Sequence, residues 1–174
     1  MIRHLPVREE PWQGAWPTEG APISTPDSPA PVSIEAAVAT VRGRGFRMSS
    51  ARRLVLEALF AANAPITAEQ IAGGLDGRLP RSDLGSVYRN LEIFERLGVV
   101  HHLRAARGPG LYAIAREGEE GFLSCERCGE VRPGNPRAVA LIRGAVNKAF
   151  GYDASFRTFP IVGVCPRCKE EEAP

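Results

Sequence analysis

Lysine, histidine and long apolar runs are all scarce in this 174-residue sequence, and each shortage excludes something. Only Lys148 and Lys169 are lysines, so 20 of the 22 basic side chains are arginine. Against 20 acidic residues the formal net charge is +2, which excludes both a uniformly polycationic nucleic-acid coat and an acidic disordered tail. Three histidines are few for metal or acid–base chemistry built on imidazole. No stretch approaches the roughly 18 consecutive apolar residues of a membrane span. The N-terminus carries Arg3 and Arg8 but no apolar segment of the kind a secretory signal needs. A soluble, cytoplasmic protein without a membrane partner is expected. In that reducing compartment the four cysteines are expected as ligands or reactive thiols rather than structural disulfides. An enzyme is not expected, because no Ser/His/Asp set, phosphate loop or open metal position is visible.

What is present divides into segments. Residues 1–32 hold seven of the 15 prolines and both tryptophans, Trp12 and Trp16, without sustained periodicity. Proline at that density favours extended, solvated chain, so a disordered tail is expected there. From Ser33 the pattern becomes helical. Ser33 can cap a helix with Ile34, Ala37, Val38 and Val41 on one face, ending near Gly43 and Gly45. Ser49 offers a cap for a second helix to about Ala62, with Leu56 and Leu59 as core candidates. Thr67 and Gln70 form a capping box for a short helix that stops at Gly73 and Gly74. Asp83 caps a fourth helix ending before Gly98, with Leu84, Val87, Leu91, Phe94 and Leu97 as its apolar stripe.

Beyond Gly98 the chain reads as strands. Residues 99–103 and 111–115 flank a Gly/Pro turn and predict a hairpin. Small helices followed by such a hairpin are the winged helix-turn-helix arrangement. Short strands are expected at 122–124 and near Val131, then a helix from Pro136 capped by Asn135, then a last strand over about 155–164.

Two constellations carry chemistry. Cys125 and Cys128 form one Cys-x-x-Cys pair and Cys165 and Cys168 another, which uses every cysteine of the chain. Two such knuckles complete the tetrahedral four-sulfur shell that structural zinc (Zn2+) prefers, about one ion per protomer, with no open position for catalysis. A redox pair explains one Cys-x-x-Cys but not two. The second constellation is the helix over 83–97. With its apolar stripe buried, it presents Ser86, Tyr88, Arg89, Glu92 and Arg96. Ser86 and Tyr88 can hydrogen-bond to phosphates or base edges, and Arg89 can address phosphate or guanine. Charge supports a nucleic-acid partner for this segment. Residues 33–116 carry 12 arginines against 7 acidic side chains, net +5, while 1–32 is −2 and 117–174 is −1.

These features together resemble the ferric uptake regulator (Fur) family over about residues 34–168. The resemblance rests on Gly45-Phe-Arg-Met-Ser-Ser-Ala-Arg52, Ser86-Val-Tyr-Arg-Asn-Leu91, the Cys-x-x-Cys-Gly at 125–129 and the Gly-Val-Cys-x-x-Cys at 163–168. It implies an α+β fold: a winged helix-turn-helix DNA-binding domain over 33–116, then a small α/β dimerisation domain with a four-cysteine zinc site over 117–174. It also implies a homodimer that binds double-stranded DNA at an AT-rich inverted repeat. Tyr88 and Arg89 would contact DNA, Arg47 would match a basic residue that reaches the minor groove, and Arg52 is expected as a further DNA-binding residue.

The departures from the family matter as much. Its histidine-rich run before the first cysteine pair is here Glu117-Gly-Glu-Glu-Gly-Phe-Leu-Ser124, without histidine. Ala113 and Arg157 stand where ligands are usual, and Arg104 and Arg107 where a close subgroup has histidines. A weak second metal site could use His101 or His102 with a glutamate; surface histidines are the simpler account. A transcriptional regulator, in all expectation a repressor, with weak or altered metal sensing follows. Two alternatives stand beside it: a thiol–zinc redox switch, and a family-derived interaction module that does not bind DNA.

Overall fold

The computed structural model describes residues 33–62, 64–116 and 121–171. The tail with Trp12 and Trp16, and Glu117, Glu119 and Glu120, lie outside the described residues. No helix among the described residues is long and apolar enough to cross a membrane.

Helix α1 (Ile34–Gly43) starts where Ser33 accepts a hydrogen bond from the Ala36 amide at 3.1 Å, and it buries Ala37, Val38 and Val41. Helix α2 (Ser50–Ala62) starts at Ser49, whose hydroxyl accepts from the Arg52 amide. Helix α3 (Ala68–Ala72) has the reciprocal capping box formed by Thr67 and Gln70. It stops at Gly73 as expected, and a further turn that the sequence pattern does not mark, α4 (Gly74–Gly77), follows. There Leu75 and Asp76 adopt left-handed φ values of 51° and 58°. The strain of about 1–2 kcal/mol per residue is offset because the turn tucks Leu75, 3% exposed, into the core.

Helix α5 (Leu84–Arg96) is capped by Asp83, which accepts from the Ser86 amide at 2.7 Å. Val87, Leu91 and Phe94 are fully buried, as their spacing requires. Leu84 departs from the expected stripe and is 38% exposed, because it stands at the first position of the helix, a turn short of the buried run that begins at Val87. Asn90, which no apolar pattern marks, lies buried on the inner face instead. Strands β1 (Val100–Leu103) and β2 (Leu111–Ile114) form the antiparallel hairpin, with Val100 opposite Ile114. The segment between α2 and α3 is tied to it through Ile66 and Tyr112, which exchange two backbone hydrogen bonds of 3.0 and 2.7 Å. One apolar cluster joins α1 through β2, from Ala37 to Ile114.

The remaining chain builds a separate three-stranded sheet. Its central strand β3 (Gly121–Cys125) pairs antiparallel with β4 (Val131–Pro133) and parallel with β5 (Phe156–Gly163). The parallel pair needs a crossover, and helix α6 (Pro136–Phe150) supplies it. Asn135 caps α6 by accepting from the Arg137 and Ala138 amides, and Gly151 ends it. Val139 is its single buried residue among the described ones. It sits against Gly134 and Gly121: a Cβ at Gly134 would lie 2.7 Å from Val139 Cγ2, so only glycine lets the helix approach this closely. A final helix α7 (Pro166–Glu170), not expected from the sequence, begins immediately after Cys165.

Hairpin and sheet meet along β1 and β5. The Arg104 amide donates to the Thr158 carbonyl at 3.0 Å, and the Ala106 amide donates to the hydroxyl of buried Ser124 at 3.1 Å. The Arg104 guanidinium lies 5.8 Å from the Phe159 ring centroid.

Candidate metal centre and nucleic-acid interface

Cys125 ends β3, Cys128 follows on the turn, and Cys165 and Cys168 flank the start of α7. The turn closes through the Gly129 amide on the Cys125 carbonyl, and the Glu126 amide reaches the Gly163 carbonyl, binding the two knuckles together. All four sulfur atoms lie within 4.8 Å of one another. Cys128 Sγ and Cys165 Sγ are 3.8 Å apart. A tetrahedron with metal–sulfur bonds of about 2.3 Å has edges of about 3.8 Å, so the spacing suits one thiolate-bound cation.

The proton affinities are split across the quartet. Amide groups of Cys128 and Cys165 hold the Cys125 thiol down to about 6. Hydrogen bonding with Cys165, helped by burial, pushes Cys168 up to about 12. Four thiolates cannot all ionise so close together without a cation to neutralise them. Cys125 and Cys168 are buried while Cys128 is exposed. Sulfur donors of this softness, closed on all four sides, fit zinc.

On the other unit, α5 presents Tyr88, 43% exposed, beside Arg89, whose side chain is 72% exposed. The Tyr88 hydroxyl donates to Glu69 at 3.0 Å, which pushes its pKa upward. Backbone, Thr67 and Tyr88 donors hold the Glu69 carboxyl below its ordinary value. Arg89 stands 3.7 Å from Asp83. Ser86 is half-buried at the start of the helix and Arg47 is exposed in the loop before α2. Arg52 differs from these: its guanidinium turns inward, donating to Asn90 at 3.1 Å and to the Arg47 carbonyl.

His101 and His102 are both half-buried. As neighbours on β1 they point to opposite sides. His101 meets the edge of Phe122 with ring centroids 6.4 Å apart. Burial, and secondarily the charge of Arg157, push its pKa down to about 4. His102 stacks on Tyr112 at 4.6 Å with Nδ1 3.9 Å from Glu95 Oε2. Its Nε2 fills the space a Cβ would need at Gly110. The two imidazoles thus face different neighbours, and His102 is the one with a glutamate, Glu95, beside it. Among the described residues, only the four cysteines gather three or more potential metal ligands.

The mixed fold thus carries a four-cysteine cluster suited to a metal ion on one unit and a helix with exposed Tyr88 and Arg89 on the other. A sequence model described as the ferric uptake regulator family matches residues 43–152. The peroxide-responsive repressor PerR of Staphylococcus epidermidis is 23% identical over 138 residues, covering 79% of this chain and 91% of that protein. The peroxide operon regulator of Bacillus subtilis is 25% identical over 139 residues, covering 80% and 95%. The Fur structure of Helicobacter pylori superposes with a TM-score of 0.64 at 19% identity, covering 81% of this chain and 97% of that one. The chain belongs to the ferric uptake regulator family of transcriptional regulators.

Proposed function

We propose that the protein is a homodimeric repressor that binds double-stranded DNA, built around a structural zinc. The observation that carries this is the exposed Tyr88 and Arg89 face of α5, set beside a hairpin and backed by a complete apolar core. Residues 33–116 are the DNA-binding domain, and Arg47, Ser86, Tyr88 and Arg89 its contacts with an AT-rich inverted repeat. Residues 117–174 are the dimerisation domain. Its support is apolar surface that a monomer has no use for: Leu141 and Phe150 on α6 are 77% and 74% exposed, and Phe159 on β5 is 63% exposed. Zinc in the cysteine quartet stabilises that domain when bound, and the protein works in the cytoplasm.

Metal sensing is weak or altered in this reading. The support is chemical: Arg157 places a positive charge near His101, where it opposes a bound cation. The test is selection of bound duplexes from a random pool, with and without chelator and with added manganese, iron, zinc or nickel. Tyr88→Ala and Arg89→Ala should each lower affinity for the selected duplex about tenfold. Undiminished binding by both variants rejects the recognition-helix assignment. Binding that requires an added metal rejects the weak-sensing assignment.

A second reading has one observation in its favour. Exposed Cys128 lies 3.8 Å from Cys165. Peroxide could oxidise Cys128 to a sulfenate with release of water, and Cys165 would then displace hydroxide to close a disulfide and expel the zinc. Peroxide treatment that leaves zinc content and DNA binding unchanged rejects it.

A further inference from the structure

Arg52 stands in the first turn of α2, where Ser50 and Arg53 face solvent, yet its guanidinium turns toward Asn90 and the Arg47 carbonyl. Three groups from two places in the chain hold it. Nε donates to Oδ1 of Asn90 on α5 at 3.1 Å, a second nitrogen donates to the Arg47 carbonyl, and the Phe46 ring lies 5.9 Å away beneath it. Asn90 is 6% exposed, and its amide nitrogen donates to the Ser86 carbonyl at 2.9 Å. That bond fixes the amide orientation, so the oxygen must face Arg52.

A polar amide on the inner face of an amphipathic helix is costly unless satisfied, and alanine or leucine would serve the core better. The pair is therefore informative. Asn90 lies on the helix that carries Tyr88 and Arg89, and Arg47 lies on the loop that Arg52 grips. The loop has backbone anchors at its start, through the Gly45 and Phe46 amides, and at its end, through the Ser49 carbonyl. Between them, the Arg47 carbonyl is held by the guanidinium. We propose that Arg52 and Asn90 are positioning residues, a brace that sets the Arg47 loop at a fixed separation from the Tyr88–Arg89 face. The inference rests on the DNA-binding reading above and gives Arg52 contacts within the protein rather than with the duplex.

Lysine cannot replace the brace. One ammonium retains the charge but lacks the planar fork that reaches Asn90 and Arg47 together while lying on Phe46. A direct phosphate contact, by contrast, tolerates lysine. In the zinc-loaded full chain, Arg52→Lys and Asn90→Ala should each weaken binding to the selected duplex about tenfold. Arg47→Ala should cost a similar factor in the wild-type background but less than about twofold in the Arg52→Lys background. Hydrogen exchange on the free protein supplies a readout without DNA. Amides of residues 46–49 should exchange about tenfold faster in both variants, with α1 and the middle of α5 unchanged. Arg52→Lys binding within twofold of wild type, or Arg47 and Arg52 losses that multiply independently, would overturn the brace in favour of a direct contact. Unchanged exchange at 46–49 would also overturn it. If the wild-type chain selects no duplex, the DNA-binding reading fails, while the exchange measurement still decides whether the brace exists.

Discussion

Removing the metal should unfold one half of this protein and spare the other. The perturbation is chelation, or Cys125→Ser, which deletes a buried ligand. The helical unit owns a continuous apolar cluster from Ala37 to Ile114 that needs no ion. The sheet unit has much less: Phe122 and Val139, 1% and 2% exposed, are its large buried apolar side chains among the described residues, beside the thiols of Cys125 and Cys168. Burying two such side chains contributes about 3–6 kcal/mol. A four-thiolate zinc contributes roughly 10–16 kcal/mol of apparent binding free energy at neutral pH, two to three times more. With zinc in the quartet, as proposed above, the metal would dominate the stability of residues 121–171. Hydrogen exchange read by mass spectrometry is the assay. After chelation, peptides from 121–171 should lose protection while α2 and α5 keep theirs, and the ellipticity of the 15-residue α6 should disappear. Full protection of 121–171 in metal-free protein would refute the reasoning, since its few apolar contacts would then suffice.

Three more outcomes follow from particular contacts. His101 is neutral in the fold, with a pKa of about 4 set by burial and then Arg157, against an ordinary value of 6.5. The unfolded chain takes up that proton first as pH falls, so stability present above pH 6.5 is lost progressively toward pH 4, by about 3 kcal/mol. Urea unfolding at pH 7 and pH 5 should show the loss, and His101→Phe should remove this share of it. Gly134→Ala would place a Cβ 2.7 Å from Val139 Cγ2 and should destabilise by about 1–3 kcal/mol in the same assay; a neutral substitution would contradict the close approach of α6. Leu141→Glu, on the exposed apolar side of α6, should raise the dimer dissociation constant about tenfold or more by sedimentation, and an unchanged constant would remove this face from the interface.

Much of the local structure was legible because it is short-range. Ser33, Ser49, Thr67, Asp83 and Asn135 each cap the helix that follows, since a side-chain acceptor three residues from an orphan amide needs no distant partner. The cysteine quartet was legible for a related reason: two Cys-x-x-Cys pairs leave few alternatives to a common ion. Leu84 misled because period alone does not say that the first position of α5 lies short of the buried run beginning at Val87. The left-handed turn at Leu75 and Asp76 was invisible because its strain is offset only by burial, which depends on the whole core.

What the sequence by itself determined, then, is most of the series of elements, their caps, the pairing of the four cysteines into two knuckles and the sign of the charge on each segment. All of these follow from neighbours within a few residues or from composition. Tertiary structure alone decided where the arginines and histidines point. Arg89 and Arg52 are equally cationic on paper, yet one faces solvent and the other braces Asn90 and the Arg47 carbonyl. His101 and His102 are adjacent, yet strand geometry turns one toward Phe122 and the other onto Tyr112. A long polar side chain chooses its partner by distances across the fold, and residue spacing carries no record of those.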